Sequence, residues 1–287
     1  MPMIRIVTDS TADLPAEIRE QLGIEMVPLE VLFGEESYLD SITITPDDFY
    51  QKLEASNKPP TTSQPASVTF AATYERILAE QPDAQILSIH LSAALSGTYQ
   101  SAVIGSSMVE GEGAANITVF DSKSASSGCG ILVLKAAEMA RIGCTMDEIV
   151  EEITRMRKAT HLYFLVDTLE YLQKGGRIGK ASALIGSILN IKPILTLDED
   201  GVVTSVDKVR GQKKAMNRIV ELFHKDFDTQ QPVAITVAYA QHTGVADELC
   251  ALLKENFNVD HTTFYELGPV IGTHAGPGTV GLFMHRV

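Results

Sequence analysis

Hydroxyl side chains gather at three places where apolar runs end. Thr8-Asp9-Ser10-Thr11 follows one run, Ser92 with Leu95-Ser96-Gly97-Thr98 follows a second, and Asp121-Ser122 follows a third. In an open parallel sheet the carboxyl ends of the strands converge on the ligand crevice. Each cluster alone also reads as an N-cap or an Asx turn; three in one layer point to a binding site. Ser96-Gly97-Thr98 also precedes a helical pattern, and the free backbone N–H groups of a helix start favour an anion. A second candidate is Pro60-Thr61-Thr62-Ser63-Gln64-Pro65. Its prolines stiffen the segment and its hydroxyls offer donors, although a loop capping the helix that starts near Ser67 fits equally well.

The third candidate is Lys174-Gly175-Gly176-Arg177-Ile178-Gly179-Lys180. Residues 174–218 carry nine Lys/Arg against four Asp/Glu, whereas the rest of the chain carries fourteen against thirty-three. A basic stretch on an acidic protein binds an anion or docks a partner, or is simply a solvated helix face, the reading that suits Lys213 and Lys214. Arg177, flanked by glycines, is suited to aim a bidentate guanidinium at a carboxylate or phosphate. His274 sits in Gly272-Thr273-His274-Ala275-Gly276-Pro277-Gly278, read as a flexible small-residue loop that a ligand could approach closely.

Two motif matches fail. Gly276, Gly278 and Gly281 form G-x-G-x-x-G, but no helix pattern follows them, as a dinucleotide fingerprint requires. Gly175–Lys180 lacks phosphate-loop spacing, with Ala181 where Ser or Thr belongs, and no G-x-S-x-G elbow exists. Cys129, Cys144 and Cys250 are scattered, without metal-ligand spacing and in an odd number. Neither a cofactor nor a metal is expected.

The elements that must position these residues alternate. Strands are predicted over 4–8, 26–33, 86–91 and 117–120, with an extended segment over 38–44 and a loop over 58–65. Helices are predicted over 15–22, from Pro46, from about Ser67, over 98–108 and over 131–142. Thr145 with Glu148 forms a capping box for a further helix. Such βαβα alternation implies a mainly parallel sheet covered by helices. From about residue 160 the texture changes. Strands at 192–197 and 202–209 flank Asp198-Glu199-Asp200-Gly201, a hairpin signature. Further strands are predicted at 161–166, 233–240, 261–266 and 280–285. The expected fold is α/β in two domains: a three-layer domain over 1–160 with a mainly parallel sheet, and a second over 161–287 with a mixed sheet.

The chain has 287 residues, 45% of them hydrophobic, enough for a sizeable core. Its net charge of −14 argues against general nucleic-acid binding. No apolar stretch approaches the ~18 residues of a membrane span, and MPMIRIVTDS does not read as a signal peptide. A cytoplasmic protein without stable membrane insertion is expected.

Taken together, these segments resemble the DegV family of bacterial fatty-acid-binding proteins over nearly the whole chain. Thr8-Asp9-Ser10-Thr11-Ala12-Asp13-Leu14 looks like the family's opening. Thr62-Ser63-Gln64-Pro65 with Ser67 looks like its Thr-Ser-Gln-Pro-Ser loop, departing at Ala66. Leu95-Ser96-Gly97-Thr98-Tyr99-Gln100-Ser101-Ala102 looks like its serine motif. Gly175-Gly176-Arg177-Ile178, Asn190-Ile191-Lys192-Pro193-Ile194 and His274 through Gly278 look like its later motifs. The resemblance implies two α/β domains with a long-chain fatty acid between them. It also implies a binding subunit of bacterial fatty-acid kinase, presenting the carboxylate to a separate ATP-dependent kinase subunit that forms an acyl phosphate. Thr62, Ser96 and Gly97 would then hold the carboxylate, and Arg177 and His274 would lie near the head group and serve the kinase step. Residues 183–189 could line an acyl tunnel. No catalytic residue is expected in the chain alone. The rival readings are an enzyme acting on a small carbonyl or acyl compound through His274 or a serine, and a lipid sensor.

Overall fold

The computed structural model describes residues 3–185 and 191–287. In chain order β1 (Ile4–Asp9) leads to α1 (Ala16–Leu22), β2 (Glu25–Val27), β3 (Glu30–Phe33) and β4 (Glu36–Leu39). There follow α2 (Pro46–Ala55), β5 (Thr61–Ser63), α3 (Ser67–Glu80), β6 (Gln85–His90) and α4 (Thr98–Met108). Next come β7 (Ile117–Asp121), α5 (Ser127–Arg141), α6 (Met146–Ala159), β8 (His161–Leu165) and α7 (Glu170–Lys174). The chain continues with β9 (Ile191–Leu197), β10 (Val203–Arg210), α8 (Gln212–Asp226), β11 (Val233–Tyr239), α9 (Gly244–Asn256), β12 (Val259–Glu266), α10 (Pro269–Ala275) and β13 (Val280–Arg286).

Four strands form an all-parallel sheet in the order β2-β1-β6-β7. Six form a mixed sheet, β10-β9-β8-β13-β11-β12, in which only β11 and β12 run parallel. The expected α/β class with one parallel and one mixed sheet is therefore found. Alternation along the strands explains the layers. Val7 and Ile86 pack with Phe70, Tyr74 and Ile77 of α3 and Ala102 of α4, while Ile6, Leu87 and Ile89 face Leu132 and Val133 of α5. In the mixed sheet Ile235, Val237, Leu282 and Met284 pack beneath α8 and α9.

Local signals placed many boundaries. Thr45 caps α2 with Pro46 at its start, Gly23 ends α1 in the left-handed region, and Thr145 and Glu148 form the capping box of α6. Four expectations need correction. The strand over 26–33 is two strands in different sheets: Pro28 has no N–H to donate, and the chain crosses from the parallel sheet to a small antiparallel one, β4-β3-β5. The extended segment over 38–44 stops at Leu39, after which Asp40 and Ile44 form only an isolated bridge. The loop over 58–65 contains β5, whose Thr62 pairs with Val31. Helix α5 begins at Ser127 rather than 131, so the serine-rich segment runs straight into it.

Candidate functional site

Between the two large sheets lies a cavity with about 850 Å³ of space between atoms, open solvent at its mouth included. Leu162 and Phe164 of β8, Ala238 of β11, and Gly281 and Phe283 of β13 line one side; Leu91 and Leu95 reach it from the parallel sheet. The polar lining is Thr62, Ser96, Ser126, Arg177, His274 and Thr279.

Four of these come from distant segments and meet. Strand β5 is held by β3 and presents Thr62, whose Oγ1 lies 2.8 Å from His274 Nε2. His274 stands on α10, a helix rather than the expected flexible loop; Pro269 starts that helix, and Asp13 accepts the Gly268 N–H at 3.1 Å. The imidazole packs on Gly175, where a Cβ would overlap Nδ1, so only glycine fits. Two residues on, Arg177 donates from Nε to the Leu95 carbonyl at 3.0 Å and from Nη1 to the Gly175 carbonyl at 2.6 Å. Leu95 precedes Ser96, whose Oγ lies 2.9 Å from Thr98 Oγ1 and accepts the Thr98 N–H at 3.3 Å. Gln64 closes the ring by donating to Ser101 Oγ at 3.0 Å. Gly97 is not on the cavity wall; a Cβ there would overlap the Gln64 side chain, so its role in the structure is clearance between the two loops.

Burial first, and the Arg177 charge second, push the His274 pKa down to about 4. The imidazole is therefore neutral at neutral pH, and its Nδ1 is buried with no hydrogen-bond partner among the described residues. Arg177 forms no ion pair among the described residues, whereas Lys174, Lys180, Lys192 and Arg218 of the basic stretch each pair with a carboxylate. The permanent positive charge at the cavity is thus Arg177, with two hydroxyls and a neutral imidazole around it. That set suits a carboxylate or similar anion whose remaining bulk is apolar.

The three hydroxyl clusters do not all converge. Thr8–Thr11 is engaged internally: Asp9 accepts from Thr11 and Leu91, and Ser10 Oγ accepts the Leu29 N–H. Ser122 donates to the Ser124 carbonyl. The third loop instead contributes Ala125 and Ser126. Ser126, at φ 52°, donates to Asp13 Oδ2 at 2.5 Å. Nothing in local spacing marked Ser126. Ala183, Leu184 and Ile185 do not line the cavity; residues 186–190, which include the rest of the expected tunnel segment and Asn190, lie outside the described residues. Among the described residues no cluster of His, Cys, Asp or Glu could hold a metal ion, and no helix is long and apolar enough to cross a membrane.

Known proteins share this sequence pattern and fold. The model of the "Uncharacterised protein, DegV family" matches residues 3–286. Protein DegV of Bacillus subtilis is 41% identical over 284 residues, covering 97% of this chain and 98% of the relative. A DegV domain-containing protein of Halalkalibacterium halodurans is 40% identical, covering 98% of both chains. A solved structure described as fatty acid binding of a DegV family protein from Thermus thermophilus has a TM-score of 0.92 at 37% identity, covering 99% of this chain and 100% of the other. The structure of Bacillus subtilis DegV, described as a fatty acid binding protein, has a TM-score of 0.88 at 38% identity, each chain covered in full. With the match running from one end of the described fold to the other, this chain belongs to the DegV family.

Proposed function

We propose that this protein binds a long-chain fatty acid in the cavity and presents its carboxylate to a separate ATP-dependent kinase subunit, which forms the acyl phosphate. The observation that carries this reading is a mainly apolar cavity with Thr62, Ser96, Arg177 and His274 gathered on its wall. The two units are residues 1–160 and 161–287, with the lipid between them, and the protein works in the cytoplasm. Thr62 and Ser96 donate to the carboxylate and Arg177 supplies the opposing charge. The tail supplies most of the affinity, at ~0.8 kcal/mol per buried CH₂, and the head group fixes its position. Arg177 and His274 then face the incoming phosphoryl donor, where negative charge must be balanced. The chain alone is not a catalyst in this scheme. The fatty-acid binding described for related DegV structures supports the ligand class.

Protein expressed in a bacterium is expected to carry about one fatty acid per chain, read by organic extraction and mass spectrometry. A chain that stays empty after incubation with free fatty acids overturns the reading. With the kinase subunit and ATP supplied, Arg177→Ala and His274→Ala are expected to retain lipid and lose acyl-phosphate formation. Full activity of both variants would remove their assigned roles.

A further inference from the structure

Strand β13 runs through the middle of the mixed sheet, between β8 and β11. Its side chains alternate: Leu282 and Met284 go to the helix-covered core, while Gly281 and Phe283 line the cavity. By register Gly281 lies opposite Phe164 on one side and Ala238 on the other, and all three line the cavity. The next row, facing the helices, is Tyr163, Leu282 and Val237, all large. A missing side chain and a single methyl thus form a trough on the cavity side of the sheet.

Glycine weakens a strand interior, and usually marks a bulge, a special backbone conformation or a close approach. Here the pairing of β13 has no register shift on either side, and Gly281 is not in the left-handed region. A Cβ at Gly281 would meet Leu162 Cδ1, Phe164 Cβ and Phe283 Cε2, each at 3.7 Å, which is ordinary contact. No neighbouring protein atom therefore requires glycine. The three atoms it would touch belong to residues of the cavity wall, so the space it leaves opens into the cavity.

We infer that Gly281, with Ala238 beside it, sets which acyl chains the cavity accepts, by leaving the trough through which a long methylene chain passes. This rests on the fatty-acid reading above. A branched side chain at position 281 displaces about two methylenes' worth of chain and selects shorter acids.

The test offers an equimolar mixture of saturated C8 to C18 acids to the parent, to Gly281→Ala, Gly281→Val and Gly281→Leu, and to Ala238→Val. Bound acids are extracted and quantified, and thermal unfolding reports folding. In Gly281→Val and Gly281→Leu the ratio of C16–C18 to C10–C12 acids is expected to fall about tenfold or more. Gly281→Ala shifts it in the same direction by less. Ala238→Val, which narrows the trough from another strand, gives the same direction and carries the test if the larger residues at 281 prevent folding. Folded variants with the parent's chain-length profile overturn the inference, as does an equal loss of every chain length. A parent that binds no acid at all overturns the fatty-acid reading itself, and is distinguished because no variant enters that result.

Discussion

Two buried histidines show how differently the same side chain is used. His90 is sealed, with 0% side-chain exposure, as is its partner Asp9. Nδ1 lies 2.9 Å from Asp9 Oδ2 and Nε2 2.7 Å from Ser88 Oγ, which itself lies 2.8 Å from Tyr74 Oη. Both nitrogens of that ring are engaged, and it meets Phe70 in a T-shaped contact with ring centroids 5.0 Å apart. His274 has one engaged nitrogen and one that is buried without a partner among the described residues, on the wall of a cavity, near a cation rather than an anion. A complete network holds a fold together, whereas an incomplete one at a cavity is ready for something from outside. The same contrast separates Ser10, which holds the Leu29 N–H, from Ser96, whose hydroxyl is hydrogen-bonded only to Thr98 among the described residues.

The strongest way to sharpen that comparison is to remove each ring. His90→Ala removes the partner of Asp9 Oδ2 and Ser88 Oγ and leaves a ring-sized void in a sealed site, and is expected to destabilise the protein by ~3–5 kcal/mol, read by denaturant unfolding. His274→Ala at pH 7 is expected to alter stability by no more than ~1 kcal/mol, the net worth of one neutral hydrogen bond. Equal losses would erase the distinction. Next in size are the hydroxyls. Thr62→Ala and Ser96→Ala should each weaken fatty-acid binding by ~1.5–3 kcal/mol, about ten- to a hundredfold, while the fold is unaffected. Unchanged affinity in the double variant would place the carboxylate elsewhere.

Smaller and more diagnostic effects come from pH. Burial raises Asp40 to about 6, so its contribution grows as pH falls from 7 to 5, because the folded state then holds a proton that the unfolded state does not. Burial lowers His274 to about 4, so its contribution shrinks over the same interval, because there the unfolded state holds the extra proton. Each change is on the order of 1–2 kcal/mol, and the two oppose each other. Any stabilisation by Asp40→Asn should therefore fade between pH 7 and 5, while His274→Ala should gain on the parent over that range; unfolding midpoints in buffered series decide both. Smallest of all, Lys213→Ala and Lys214→Ala should shift stability by less than ~0.5 kcal/mol and leave lipid binding unaltered, since both lie exposed on α8.

The sequence made the local structure legible where a single residue has a single job. The cap pair Thr145 and Glu148 and the hairpin at Asp198–Gly201 follow from capping and turn residues. Thr62, Ser96, Arg177 and His274 were readable as candidates because hydroxyls, a glycine-flanked arginine and a histidine among small residues are unusual company. Their meeting was not readable, because Thr62 and His274 stand 212 positions apart and no periodicity links them. Asp9 and His90, 81 apart, were equally hidden, so the Thr8–Thr11 cluster passed for a binding loop when it is internal scaffolding. The cavity wall was invisible for another reason: Ala238, Gly281 and Phe283 read as ordinary strand residues until register puts them side by side.

Strand β13 is the last strand in chain order and sits at the centre of the mixed sheet, bridging β8 to β11. Until it is placed, β8 with its hairpin and β11 with β12 are separate ribbons with unpaired facing edges. Closing this half therefore needs pairings between strands far apart in the chain, the kind of contact that slows folding. The two edges stay unpaired until residues 280–286 are in place, so the cavity wall that joins Phe164, Gly281 and Ala238 is complete only once the sheet is closed.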